Sequence, residues 1–331
     1  MTKQQKVGVI GAGSFGIAIA RLLAYNVEVL VFSRQQKVVQ HINEKHKHLG
    51  LDLPPNINAT SDMLSITQQC KLIFPIVASE NFREMLKQFS THLNPKHILI
   101  HGTKGLDIAA NHNGNLRVYS MSEVILQESN VMRVGCLSGP NLAAEIIEGQ
   151  PTATVVASEY DEVTRLSKKV LSSERFHVFS SNDMKGAELA GALKNVVAIG
   201  SGILKGMGLG KNIQAVLVTQ GLQEMIRFGK AIGSEREAFF TVAGIGDLIA
   251  TTTSKKSRNY NFGFRLGAGE SVEEIESASE ELAEGVRTVE ICKSLADYYS
   301  LHVPVFDAFY RIIIEGEDRR KVIDTLIRNP Y

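Results

Sequence analysis

A single lysine stands in a stripe of small residues in the second half of the chain. Ala187, Gly191, Lys194, Ala198 and Ser201 follow one another at alternating spacings of four and three, so on a helix they share one face. Such a stripe lets another group approach the helix backbone closely, and two readings stand. Either helices pack tightly there and Lys194 reaches solvent along its stem, or a substrate or cofactor lies on the stripe and the ammonium addresses its oxygen. Desolvation and a neighbouring cation would lower the pKa of a lysine so placed, which suits general acid–base work.

A second candidate site lies near the start. Gly11-Ala-Gly13-Ser14-Phe15-Gly16 is a G-x-G-x-x-G that follows a β-branched run and opens a helical pattern. In that context the first glycine permits a tight turn, the second lets a pyrophosphate approach the backbone, and the third lets helix and strand pack closely. The helix N-terminus then offers N–H groups and a partial positive charge to the phosphates. At the end of the next strand the chain reads Phe32-Ser33-Arg34, 18 residues after Gly16, with no acid until Glu44. An acid there would hold the ribose 2′-hydroxyl of NADH, whereas Arg34 suits the 2′-phosphate of NADPH. NADPH is therefore favoured with NADH as the alternative, and a solvated surface arginine is the other reading of Arg34.

The elements that would position these groups follow from periodicity. Val7 to Ile10, Val27 to Phe32, Leu72 to Val77, Ile98 to His101, Val131 to Leu137 and Ala153 to Ala157 read as strands. Helical patterns lie between them, from about Ser14 to Tyr25 and from Gln35 to Glu44. Strand–helix alternation predicts a parallel sheet. From Met184 onward apolar residues recur at three- and four-residue spacing. The expected architecture is α/β: a Rossmann-like, doubly wound dinucleotide-binding domain over residues 1–184, then an all-α substrate and catalytic domain over 185–331.

Composition narrows the class further. The 331 residues are 44% hydrophobic, 7% aromatic and 21% charged, ordinary for a globular chain of about two domains. The net charge of +1 offers no basic surplus for a nucleic-acid backbone. No stretch approaches 18 uninterrupted apolar residues, so no membrane span is expected. Three scattered cysteines form neither a disulfide framework nor a metal motif, and a reducing, cytoplasmic setting is expected. His41, His46, His48 and His92 fall in polar stretches without i, i+4 pairing; they read as surface residues, and no metal is expected.

With these residues in view, the chain resembles the bacterial-type NAD(P)-dependent glycerol-3-phosphate dehydrogenases over nearly its full length. The resemblance rests on Gly11–Gly16, His101-Gly-Thr-Lys104-Gly105-Leu, Ser138-Gly139-Pro140, Gly191-Ala-Leu-Lys194-Asn195, Gly244-Ile-Gly-Asp247-Leu and Ser257-Arg258-Asn259. It implies reversible hydride transfer between a nicotinamide and C2 of dihydroxyacetone phosphate, giving sn-glycerol 3-phosphate for phospholipid synthesis. It implies Lys194 as the acid–base group, Lys104 beside the same oxygen, and Asp247 orienting the lysines. Substrate contacts are implied at Lys104, Gly139, Asn141, Lys194, Asn195, Asp247, Thr251, Ser257, Arg258 and Asn259, the last three forming a phosphate loop. Alone, Lys255-Lys-Ser-Arg258 reads as a solvated basic loop. Cofactor contacts are implied at Gly11, Gly13, Ser14, Phe15, Gly16, Arg34, Lys104, Ala143, Arg258, Leu282 and Glu284. Family members are commonly homodimers.

The chain departs from the family pattern in three places. Asn141 stands where Ser or Thr is usual, Ala78-Ser79 replaces Pro-Ser, and one residue is missing near Asn26-Val27. Two rival functions compete with this reading. Another lysine-using dehydrogenase, for a β-hydroxyacid or ketopantoate-like substrate, would want a carboxylate-binding Arg or Ser instead of the phosphate loop. A non-catalytic NAD(P)H-binding redox sensor would have no need of Lys104, Lys194, Asn195 and Asp247 together.

Overall fold

The computed structural model describes residues 6–110, 116–278 and 283–328. Two compact units emerge, Met1–Thr103 with Met121–Met184, and Lys104–Ser120 with Lys185–Tyr331. The strands in chain order are β1 (Lys6–Ile10), β2 (Glu28–Phe32), β3 (Lys47–His48), β4 (Leu51–Asp52), β5 (Ile57–Thr60), β6 (Leu72–Pro75), β7 (Ile98–His101), β8 (Leu106–Ala110), β9 (Leu116–Ser120), β10 (Arg133–Ser138), β11 (Thr152–Ala157) and β12 (Phe176–Ser181).

Eight of these strands form the sheet of the first unit, in the order β12-β11-β10-β7-β6-β1-β2-β5. The central strands are continuous apolar runs because both faces of a parallel sheet are covered by helices; Val7, Val9, Val29, Val31, Phe74 and Ile98 are all fully buried. From β1 the chain winds outward through β2 to β5, then returns to the other side of β1 through β6 and β7. The C-terminal end of β1 is thus the point where the winding reverses, the usual place for a ligand in such sheets.

The sheet departs from the sequence expectation in two respects. β10 and β11 pair antiparallel, whereas the alternation pattern predicts parallel pairing throughout. The link between them holds only the short helix Ala143–Ile147, and Gly139 at φ +139° starts the change of direction. β5 and β12 are additional strands. In each, only alternate residues are buried (Ile57 and Ala59; Phe176 and Val178), so neither carries the long apolar run that marks a central strand.

The second unit is mainly helical and is organised around Met184–Gly206, buried from Gly186 to Leu204. By length and composition this helix could cross a membrane, yet every residue of its apolar window lies inside the protein. Its neighbour is the helix Arg258–Ala268. A Cβ at Gly202 would stand 2.1 Å from the Tyr260 carbonyl, and one at Gly263 would stand 1.9 Å from the Ile199 carbonyl. The two backbones therefore touch, which only glycine permits. The unit also includes the antiparallel hairpin β8–β9, so the segment Lys104–Ser120, expected in the first domain, packs with the helices. Leu106 enters the helical core, and Asp107 accepts from Arg287 Nη2 at 3.2 Å.

One buried acid fastens this unit. Glu224, from the helix Lys211–Ala231, accepts from the backbone N–H of Val305 (2.9 Å) and Phe306 (3.0 Å), capping the helix Pro304–Ile313 from outside. Burial pushes its carboxyl up to about 7, against the pull of those two donors and of Arg227. A raised carboxyl means that the folded protein binds the proton more tightly than the unfolded chain. The associated stability is full below the ordinary carboxylate value and is lost as pH rises through about 7. Glu224→Ala should lower Tm by roughly 4–10 °C, since two buried N–H groups lose their acceptor. The Tm advantage of wild type over Glu224→Gln should shrink as pH rises from 5 to 7.5, as differential scanning calorimetry would record.

Candidate active site

Five of the expected site residues meet in the second unit. Asp247 opens the helix Asp247–Thr253 directly after a π-helical turn over Val242–Gly246. Its carboxylate lies between two lysines. Lys194 Nζ donates to Oδ1, and Lys104 Nζ donates to Oδ2 at 2.8 Å. Lys194 also donates to Thr251 Oγ1 at 2.7 Å. The Thr251 hydroxyl gives its own proton to the Asp247 carbonyl at 2.7 Å, which leaves the oxygen lone pairs for the ammonium. Asn195 Nδ2 donates to the Lys104 carbonyl at 3.1 Å, holding the start of the hairpin against the long helix.

Burial sets the electrostatics. Lys194 is 4% exposed and Asp247 1%, so Lys194 does not reach solvent. Of the two sequence readings of the stripe, tight packing is what these contacts show, without the reach to solvent. Lys194 and Ser201 both bond to the helix Asp247–Thr253, Ser201 through the Thr252 carbonyl at 2.9 Å, while the ammonium is placed beside a second cation. Burial lowers the Lys194 pKa to about 7; Asp247 opposes the shift and Lys104 adds to it. An amine so poised exchanges a proton readily near neutrality. With both lysines protonated the trio carries one positive charge in excess, a setting for an oxyanion.

A second group of expected residues surrounds the N-terminus of Arg258–Ala268. Ser257 caps that helix, its Oγ accepting from Tyr260 N–H at 3.2 Å. Asn259 Oδ1 accepts from Gly285 N–H at 2.9 Å. A Cβ at Gly285 would stand 2.8 Å from Asn259 Oδ1 and 2.9 Å from the Asn195 carbonyl, so Asn195, Asn259 and the start of Glu284–Tyr299 are immediate neighbours. Arg258 is exposed and Glu284 half-buried. Leu282 lies outside the described residues.

The remaining expected residues belong to the first unit, around the end of β1. Gly11 has φ +116°, and a Cβ there would sit 2.0 Å from the Ile76 carbonyl. A Cβ at Gly16 would sit 2.0 Å from the Gly11 carbonyl, whereas one at Gly13 would meet nothing within 4 Å. Gly11 and Gly16 are thus demanded by the fold, while Gly13 keeps open a space beside the backbone. The helix Ser14–Leu23 that follows has Gly13 at its N-cap, which brings no side-chain acceptor to the first N–H groups. These features fit a dinucleotide pyrophosphate. Phe15 packs against Gly102. Arg34 is exposed just beyond β2 and makes no hydrogen bond or ion pair among the described residues.

Farther along the sheet, Gly139 is buried at the end of β10 and Ala143 begins the helix Ala143–Ile147. Asn141 Nδ2 donates to Thr154 Oγ1 at 2.9 Å. That hydroxyl donates in turn to the Ser138 carbonyl at 3.1 Å, so only the amide N–H₂ end of Asn141 can face it. The hydrogen-bonding capacity that Asn141 turns elsewhere is its carbonyl oxygen and its second amide N–H.

Sequence reasoning did not identify two contributors. Gly285 is an isolated glycine whose close approach to Asn195 has no local signature. His48, expected at the surface, is half-buried, and its Nε2 lies 2.9 Å from the Ala12 carbonyl within the glycine loop. Its polar surroundings in sequence gave no sign of that contact.

Residues 6–164 match the N-terminal and residues 183–324 the C-terminal family of NAD-dependent glycerol-3-phosphate dehydrogenase. The chain belongs to the NAD-dependent glycerol-3-phosphate dehydrogenase family. Within it, the glycerol-3-phosphate dehydrogenase (NAD(P)+) of Saccharophagus degradans is 36% identical over 99% of this chain and 91% of its own length. That of Pseudomonas aeruginosa PAO1 is 38% identical over 99% and 96%. The crystal structure of a glycerol-3-phosphate dehydrogenase from Coxiella burnetii superposes with a TM-score of 0.91 at 29% identity, covering 98% of this chain and 99% of that one. A ketopantoate reductase from Ralstonia eutropha, at TM-score 0.59 and 14% identity, shares the fold alone. As a family member, the chain is an NAD(P)-dependent oxidoreductase.

Proposed function

We propose that the protein catalyses reversible, NAD(P)H-dependent reduction of dihydroxyacetone phosphate to sn-glycerol 3-phosphate, the glycerol backbone of phospholipids. The observation that carries this reading is the buried pairing of Asp247 with Lys194 and Lys104. A bound nicotinamide would supply or receive the hydride at C2, and everything else falls to side chains of this chain. Lys194 gives its proton to the C2 oxygen as alkoxide charge develops there, and takes it back in the oxidation. Lys104 adds a second positive charge at the same oxygen, where stabilisation acts on the transition state more than on the neutral ketone. Asp247 and Thr251 hold the Lys194 ammonium in place, and Asn195 holds Lys104 through its carbonyl.

The substrate phosphate belongs to Ser257, Arg258 and Asn259. Supporting this are the N–H groups at the start of Arg258–Ala268 and the exposed Arg258 guanidinium, whose fork matches a phosphate. The family likeness alone further proposes Gly139 and Asn141 for substrate, and Ala143, Arg258, Leu282 and Glu284 for cofactor. Arg34 inclines the protein to NADPH, with NADH as the alternative. A cytoplasmic homodimer is part of the same proposal and rests on the family likeness. A carboxylate-directed dehydrogenase and a redox sensor are both less well supported, because neither needs two lysines on one carboxylate beside a phosphate loop.

The direct test is nicotinamide absorbance with purified protein, dihydroxyacetone phosphate and either cofactor, against unphosphorylated dihydroxyacetone. Oxidation that requires the phosphate is expected; silence despite cofactor binding would overturn the assignment. Because the Lys194 pKa lies at about 7, kcat/KM for reduction should fall, and for oxidation rise, as pH passes upward through that value. Lys194→Ala should lower kcat by roughly two to four orders of magnitude with cofactor Kd unchanged. Arg258→Ala should raise KM for dihydroxyacetone phosphate at least ~10-fold more than KM for the cofactor, in steady-state kinetics.

A further inference from the structure

The contact between His48 and the glycine loop is not part of the proton chemistry. It joins an imidazole to a peptide of the loop at which a pyrophosphate would approach the backbone. His48 ends β3, in the small hairpin β3–β4. That hairpin is held in an unusual backbone: His46 has φ +48°, Leu49 φ +51° and Gly50 φ +73°. Two non-glycine residues in the left-handed region are strained, so the surrounding structure must over-determine the turn. The Leu53 N–H bond to the His46 carbonyl, at 2.7 Å, closes it. The result is that the His48 ring is carried to Ala12, 36 residues away in sequence.

The direction of that hydrogen bond is fixed by chemistry. The Ala12 carbonyl can only accept, so His48 Nε2 carries the proton, in the neutral ring as well as in the cation. The Ala12–Gly13 peptide is planar and trans, so its C=O and N–H point in opposite directions. An imidazole that anchors the Ala12 oxygen therefore sets the direction of the Gly13 N–H. Gly13 is the residue of the loop whose Cβ position is open, and the uncapped helix Ser14–Leu23 begins directly after it.

We propose that His48 is a positioning residue for the cofactor: by donating from Nε2 to the Ala12 carbonyl, it aims the Gly13 N–H at the cofactor pyrophosphate. This rests on dinucleotide binding at the glycine loop. The effect acts on the pyrophosphate, which NADPH, NADH and ADP-ribose share, and is therefore indifferent to the 2′-phosphate and to the nicotinamide.

The test is direct binding to the enzyme without substrate, by calorimetric titration with ADP-ribose, NADH and NADPH. Wild-type protein that binds none of them would refute the dinucleotide reading itself, and is distinguishable from failure of the His48 proposal. Given wild-type binding, His48→Ala should weaken all three probes by a similar factor, roughly 3- to 10-fold, as expected for one net hydrogen bond. KM for each nicotinamide cofactor should rise in proportion while kcat and KM for dihydroxyacetone phosphate stay unchanged. His48→Gln, whose side-chain amide can donate to the same carbonyl, should restore most of the affinity. Unaltered binding in His48→Ala would overturn the proposal, as would equal losses in the Ala and Gln variants. A loss confined to NADPH would also overturn it, in favour of direct ionic contact between the imidazole and the 2′-phosphate.

Discussion

Two ammonium groups share one buried carboxylate, and much of the helical unit is arranged around that fact. Lys194 comes from the middle of the most buried helix, Lys104 from the approach to a hairpin, and Asp247 from the first turn of a third element. Taken singly, any one of these charges would be costly to bury; together they compensate one another, and the positive charge left over is what an anionic ligand finds. The balance also explains why a lysine pKa can fall to about 7 beside an aspartate. Desolvation outweighs the attraction because the carboxylate is divided between two partners, and the second partner repels the first.

Such a trio needs rigid support, and the glycines of Met184–Gly206 and Arg258–Ala268 provide it. Where Gly202 and Gly206 face Gly263 and Gly267, helix backbones meet with no side chain between them. Glycine within a helix costs roughly 0.5–1 kcal/mol relative to alanine. In return the start of Arg258–Ala268 is drawn against Asn195, and Gly285 fits beneath both asparagines. A Cβ at any of these positions would part elements that must stay within hydrogen-bonding distance.

How much of this could be read beforehand depended on how local each signal was. The glycine motif, the central strands and the one-face stripe around Lys194 are short patterns, and each was legible. The link from Asp247 to Thr251 was visible as a single helical turn. The antiparallel pairing of β10 with β11 was hidden, because alternation of strand and helix does not record direction when the connection is short. β5 and β12 were hidden by half-polar sequences. The assignment of Lys104–Ser120 to the helical unit depends on Leu106, on Asp107 meeting Arg287 and on Asn195 meeting the Lys104 carbonyl. All are contacts between residues about 90 or more positions apart, which no window of sequence displays. The same holds for His48, whose neighbours in sequence are polar and whose neighbour in space is the glycine loop.

The hairpin also bears on how this protein can diverge. Because Lys104 lies upstream of residue 184 yet belongs with Asp247, the chain crosses from one unit to the other at Thr103–Lys104, at Ser120–Met121 and at Met184–Lys185. The helical unit is consequently not inheritable as one contiguous stretch. Recombination at the evident boundary would exchange Asp247, Asn195 and Arg287 while leaving Lys104, Leu106 and Asp107 behind. A graft of that kind succeeds only between relatives whose hairpins and helices already match, so the two halves are bound to evolve in step at these positions.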